Sequence, residues 1–146
     1  MHFWNSAELL KISTVYHCDL IELPKIYSNT GSLTAVNSKL EIPFSIKRVY
    51  YLYDIPSGES RGGHAHKELY QIVIAASGCF DIILDDGRVK RTITLNQPFK
   101  GLLIVPGIWR ELANFSSGAI CLVLASEIYL EEDYIRDYNE FQKLKR

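Results

Sequence analysis

The sequence predicts an all-β fold, a sandwich or small barrel closed by one short C-terminal helix. Three observations predict it. Apolar, β-branched and aromatic residues recur in about eight to ten short runs at the close spacing of antiparallel sheets. Turn residues punctuate those runs, as in Asp85-Asp86-Gly87, Asn96-Gln97-Pro98 and Pro106-Gly107. No βαβ alternation occurs, and a helical period begins only from Glu131. With 146 residues, 47% hydrophobic and 23% charged, the chain has the composition and length of one globular domain with a substantial core.

In order, residues 1–15 suit a short amphipathic helix with Ser6 as N-cap and Leu9, Leu10 and Ile12 on one side. Cys18 to Ile26 alternates loosely as a first strand, punctuated by Pro24, and these first 25 residues form an N-terminal extension. Tyr27 to Ser32 is a turn, and residues 33–37 make a second short strand. Leu40 to Phe44 leads through Pro43 into Ser45–Tyr53, whose alternation puts Arg48 and Tyr50 on one face and Val49 and Tyr51 on the other. Asp54 to Gly63 is a loop, and a strand carrying two histidines follows. Gln71–Ala76 is a buried strand, broken by Ser77-Gly78. Cys79–Leu84 and Val89–Leu95 form a hairpin across the Asp-Asp-Gly turn. Gly101–Val105, Trp109–Asn114 and Ala119–Ala125 are the last strands. From Glu131 to the end, Tyr134, Ile135, Tyr138, Phe141 and Leu144 share a helical face with charges between them.

The net charge of −1 gives no global field that would recruit nucleic acid or an anionic membrane. A local basic pocket for a phosphorylated ligand is compatible with it. Cys18, Cys79 and Cys121 are isolated, never in a CxxC arrangement, and Cys79 and Cys121, in apolar runs, read as reduced core residues. The N-terminus lacks the pattern of a signal peptide, and no apolar run approaches the roughly 18 residues of a membrane span. Cytoplasmic location is the expectation.

Chemistry concentrates in Arg61-Gly-Gly-His-Ala-His-Lys67, which holds two of the four histidines. On a strand, His64 and His66 share one face. Two imidazoles side by side are either metal ligands or an acid/base pair, and the residues alone leave both open. Arg48 beside Tyr50 is a candidate for diphosphate or sugar contact, because an unpaired arginine facing into a barrel is costly. Arg61 and Lys67 are rim charges that a ligand can use, and Trp109 is core or pocket wall.

Gly58, then five residues, His64-Ala-His66, Gln71, then six residues, and Gly78 resembles the first motif of the cupins. That resemblance implies a double-stranded β-helix, a jelly-roll-like barrel. In metal-binding cupins the motif supplies two histidines and a carboxylate, and a second motif supplies a third histidine. Here the carboxylate position holds Tyr70 or Gln71, and the second motif, residues 101–112, has no histidine. Glu68 and Glu111 lie off the motif positions. Two imidazoles alone make a weak site for Zn²⁺, Fe²⁺ or Mn²⁺, so no metal and no other cofactor is expected. The pair is then free to carry protons.

A closer resemblance runs from about Thr30 to the C-terminal segment. GSLTAVN (31–37), IPFSIKRVYYLYD (42–54), RGGHAHK (61–67), LDDG (84–87), ITL (93–95), VPGIW (105–109), LVLAS (122–126) and EEDYIRDYNEF (131–141) together resemble the sugar 3,4-ketoisomerases. The family acts on dTDP-4-keto-6-deoxyglucose, supplying 3-keto sugars for 3-aminosugar biosynthesis. It implies His64 as the base at C3 and C4, His66 as a shuttle between the sugar oxygens, Tyr50 as the matching tyrosine, and a homodimer. Imidazole suits such proton transfers near neutral pH.

Two positions depart from the family pattern. Many members carry an arginine where this chain has Thr30, and some carry a histidine where it has Arg110. Arg110, at the pocket edge, favours the gluco over the galacto product. The competing readings are a cupin epimerase of a nucleotide sugar and a non-catalytic cupin that binds one.

Overall fold

The computed structural model describes residues 5–146. Alternation along the strands is what makes two layers. β1 (Leu20–Glu22), β4 (Arg48–Leu52), β6 (Gln71–Ser77), β9 (Lys100–Ile104) and β11 (Ile120–Ala125) form one antiparallel sheet in the order β1-β9-β6-β11-β4. β5 (Arg61–His66), β7 (Phe80–Asp85), β8 (Lys90–Leu95), β10 (Trp109–Ala113) and β12 (Tyr134–Ile135) form the other, in the order β12-β5-β10-β7-β8. Each sheet turns one set of alternate residues inward. Val73, Leu102, Cys121 and Val123 from the first meet Phe80, Ile82, Leu84 and Leu95 from the second in the main core. This is the expected all-β arrangement of a cupin, although among the described residues no strand pairing closes the two sheets into a continuous barrel.

A smaller cluster covers the outer side of the first sheet, where Ile72, Ile74 and Leu124 pack against Leu23, Ile42 and Phe44. The third lies outside the second sheet, where Ala65, Trp109 and Ile135 pack under Phe141 of α2 (Tyr138–Lys145). Gly63 belongs to this outer face. A Cβ there would fall inside the indole of Trp109, so the glycine is required by close approach rather than by backbone conformation. Gly63→Ala is expected to destabilise the chain by about 1–3 kcal/mol through overpacking. A lower urea midpoint with an unchanged slope would show it; an unchanged midpoint would disprove it.

Several sequence expectations shift. The first helix, α1 (Ser6–Ile12), is capped by Asn5 rather than Ser6: the Asn5 side chain accepts from the Glu8 backbone N–H at 2.9 Å. Residues 1–4 of that expectation lie outside the described residues. Leu9 is buried but Ile12 is exposed. The turn placed at Tyr27–Ser32 is narrower, because β2 (Ile26–Ser28) and β3 (Gly31–Leu33) pair as a hairpin whose tip holds Thr30. The helix expected from Glu131 starts only at Tyr138. Asp137 caps it by accepting from the backbone N–H groups of Asn139 and Glu140. Before it, Glu131–Asp133 forms a 3-10 turn, and Tyr134 and Ile135 pair with His66 and Ala65 as β12. α2 then returns to α1, where Lys145 Nζ donates to the carbonyls of Leu10 and Ser13 at 2.9 and 2.8 Å. Among the described residues, no helix is long and apolar enough to cross a membrane.

Candidate active site

Between the inner faces lies a cavity of about 340 Å³. Its wall includes Tyr50, Arg61, His64, Gln71, Arg110, Cys121, Tyr134 and Arg136. The strands explain the membership. Arg48, Tyr50 and Leu52 form the more sheltered side of β4, while Val49 and Tyr51 are exposed. β5 turns Gly63 and Ala65 outward under Trp109, and so turns His64 and His66 inward.

The two imidazoles are edge to face with centroids 4.9 Å apart. His64 lines the cavity, whereas His66 is fully buried behind it. Tyr134 packs against both, at 5.2 Å from His64 and 4.4 Å from His66. His66 Nδ1 lies 2.9 Å from Asp133 Oδ2. An ionised carboxylate only accepts, so Nδ1 carries the hydrogen and Nε2 keeps its lone pair when the ring is neutral. Asp133 is itself held, because its other oxygen accepts from the Glu68 backbone N–H at 2.8 Å. The Nε2 atoms of both histidines are buried without a hydrogen-bond partner among the described residues.

Burial pushes His64 down to about 2, helped by the positive charge of Arg110 and by His66 and Arg136. Burial also lowers His66, to about 4, against the opposing pull of Asp133. Burial raises the Asp133 carboxyl, but the hydrogen bonds from His66 and from the backbone at Glu68 outweigh it and hold the group below its ordinary value. Both rings are therefore neutral near pH 7, more strongly so than a free imidazole.

Arg110, 3% exposed, pairs with His64 across β10 and β5 of the second sheet and reaches over the core to the first sheet. Its Nε and one terminal nitrogen donate to the Ile108 carbonyl, each at 3.2 Å, and its other terminal nitrogen donates to Gln71 Oε1 at 2.5 Å. Gln71 Nε2 in turn donates to the Tyr50 hydroxyl at 3.1 Å. Arg110 is thus a buried cation beside the histidines rather than a pocket-edge charge. Arg48 stacks near Tyr50 and Tyr129, and its Nε and one terminal nitrogen are buried without a partner among the described residues.

The cavity gathers Tyr50, Arg61, His64 and Arg110 from the expected set, with His66 directly behind. Arg48, Trp109 and Lys67 do not line it. Trp109 is on the outer face of β10, packed edge-on to Tyr138 at 5.2 Å, because Arg110 takes the inward position next to it. Lys67 follows β5 and lends its backbone N–H to the Asp133 carbonyl at 3.0 Å. Tyr134, Asp133, Arg136 and Gln71 are additional. The helical reading of residues 131–146 conceals the first three as packing or solvated charge. Gln71 is visible in the sequence as the residue standing at the cupin carboxylate position. Glu68 is exposed and Glu111 faces outward beside Trp109. Among the described residues, no group of three or more His, Cys, Asp or Glu side chains is placed to hold a metal ion.

A family model described as FdtA, WxcM-like, C-terminal, matches residues 16–146. The chain belongs to this family. TDP-4-oxo-6-deoxy-alpha-D-glucose-3,4-oxoisomerase of Aneurinibacillus thermoaerophilus is 47% identical over 124 residues, 85% of this chain and 89% of the relative. The TDP-quinovose 3,4-ketoisomerase of Campylobacter jejuni is 48% identical, with a TM-score of 0.84 covering 88% of this chain and 99% of that one. A sugar 3,4-ketoisomerase of Thermoanaerobacterium thermosaccharolyticum, solved in complex with TDP, is 42% identical, with a TM-score of 0.87 covering 89% and 95%. The FdtA-family match includes every cavity residue named above, β12 among them.

Proposed function

We propose that this chain is a 3,4-ketoisomerase that moves the keto group of a TDP-linked 4-keto-6-deoxy sugar from C4 to C3. The reaction runs by histidine acid/base catalysis through an enediol(ate). The observation that carries the reading is the pair of neutral imidazoles at one wall of the cavity, beside a buried guanidinium and a phenol. Relatives named for this conversion, at 47% and 48% identity, support it.

The substrate's C3 proton is acidified by the C4 carbonyl. His64, whose ring lines the cavity in its unprotonated form, takes that proton. The C3–H electron pair becomes the C3–C4 double bond, and the carbonyl electrons move onto O4. Arg110 and the Tyr50 hydroxyl oppose the negative charge that develops there, and in a dry site such groups act strongly. His64 then returns a proton to C4. The O3 proton must leave and O4 must gain one, which completes a redox-neutral exchange of ketone and alcohol. His66 is the shuttle between the oxygens, through Nε2, with Asp133 holding the ring's other nitrogen. Substrate carries two negative charges on its diphosphate; Arg48, Arg61 and Arg136 are the cations available to it. Those charges also raise the proton affinity of neighbouring imidazoles relative to the empty site.

Arg110 in place of the histidine of some members favours the gluco product. The likeness to a TDP-quinovose enzyme agrees with it, since quinovose is the 6-deoxy sugar of gluco configuration.

Incubation with TDP-4-keto-6-deoxyglucose in D₂O tests the whole reading. A 3-keto product carrying deuterium at C4, with an equatorial C4 hydroxyl by NMR, is expected. Deuterium at C5 would indicate an epimerase, no incorporation a binding protein, and an axial C4 hydroxyl the galacto outcome.

A further inference from the structure

We infer that Gln71 is a positioning residue which, locked by Arg110, fixes Tyr50 with its hydroxyl proton directed into the cavity. The inference rests on the proposed isomerase reading, in which Tyr50 faces the developing oxyanion.

The direction follows from which groups can only give. A guanidinium has no acceptor, so the Gln71 atom 2.5 Å from Arg110 must be the amide oxygen. That leaves the NH₂ group facing the Tyr50 oxygen at 3.1 Å. The phenol therefore accepts from Gln71, and its own proton must point elsewhere. Gln71 and Arg110 are 2% and 3% exposed, so neither is free to turn towards solvent. Arg110 is in turn anchored to the Ile108 carbonyl, just before its own strand. The line of donors thus crosses from β10 to β6 to β4, through the gap between the sheets.

Three consequences distinguish Gln71 from ordinary packing. It stands where metal-binding cupins place a carboxylate, yet a carboxylate there would reverse the line. It would accept from Arg110 and also from Tyr50, drawing the phenol proton away from the cavity. An amide is the near-isosteric group that accepts at one end and donates at the other. The same donation also stabilises charge on the phenol oxygen, partly opposing the effect of burial on Tyr50. Tyr50 is therefore better placed to give a hydrogen bond to a sugar oxygenate than to serve as base. The roles in the cavity separate: His66 Nε2 offers a lone pair because Asp133 holds the other nitrogen, and Tyr50 offers a proton because Gln71 holds its oxygen.

The test compares wild type, Gln71→Glu, Tyr50→Phe and the double variant with TDP-4-keto-6-deoxyglucose. Gln71→Glu is expected to lower kcat on the order of a hundredfold, the scale of losing one oxyanion donor. KM should move by less than about threefold, because ground-state contacts are unchanged. Tyr50→Phe should lose a similar factor, and the double variant no more than the larger single loss. Near-normal kcat in Gln71→Glu, or a double loss equal to the product of the singles, overturns the positioning role. Inactive wild type overturns the isomerase reading instead. Should Gln71→Glu fail to fold, ¹⁵N-glutamine spectra of the wild type and Tyr50→Phe decide: a shifted and faster-exchanging Gln71 amide in Tyr50→Phe supports the contact. An unchanged amide refutes it.

Discussion

His64→Asn is expected to lower kcat by about three orders of magnitude, within the range of a lost general base. An amide of similar shape keeps the strand and its pairing with β10, but it cannot accept the C3 proton. Exchange of that proton with solvent should stop along with product formation. His66→Asn should behave differently. The C3 proton should still exchange, because His64 is intact, while the 3-keto product fails to accumulate for want of a path between the oxygens. The contrast is measurable in D₂O by following deuterium at C3 and C4 separately. If His64→Asn retained exchange and His66→Asn abolished it, the roles would be reversed. The carboxylate partner of His66, which leaves Nε2 with its lone pair, is what the proposed shuttle role rests on. Relative activity of the wild type should be held from neutral pH down and lost only as pH falls towards the protonation of His66, about 4 in the free chain.

Acid should destabilise the fold well before the carboxylates titrate. Both imidazoles have ordinary values of 6.5 and are depressed in the folded chain, to about 2 for His64 and about 4 for His66. Below 6.5 the unfolded chain therefore binds protons that the folded chain refuses, and stability rises with pH across that window. The contribution is fully present above the unfolded value. It is lost progressively as pH falls from 6.5 to about 4 for His66, and onward to about 2 for His64. Each unit of difference corresponds to about 1.4 kcal/mol, so the two rings together weigh heavily against a typical domain stability. Thermal midpoints measured from pH 7 to pH 4 should drop steeply, and His64→Asn should flatten the slope. A wild-type midpoint constant across that range would show that the rings are not held neutral by burial. Protonation would also put two cations against Arg110, so loss of activity and loss of structure at acid pH share one cause.

Much of this site is legible in the sequence. Period-two alternation in Ser45–Tyr53 sets Arg48 and Tyr50 apart from Val49 and Tyr51, and the structure exposes only the latter pair. The same rule puts His64 and His66 together, because strand geometry makes every second side chain a neighbour whatever the partner strands are. The glycines of the histidine motif, the Pro-Gly turn and the matching blocks mark the family.

Tertiary structure alone decided what surrounds that pair. Tyr134 and Ile135 fit a helical pattern, but they pair with His66 and Ala65 instead. A two-residue strand has no internal hydrogen bonds and exists only through a partner far back in the chain. The contact of Asp133 with His66, 67 positions earlier, is of the same kind. Trp109 and Arg110 differ by one position, and which of them faces the cavity depends on the register of β10 against β7 and β5. The depression of both histidines, and the direction of the line from Arg110 through Gln71 to Tyr50, arise from burial and from acceptors supplied by other strands. Alternation is local and can be read along the chain; register, burial and hydrogen-bond direction are relations between distant segments, and only folding brings those segments together.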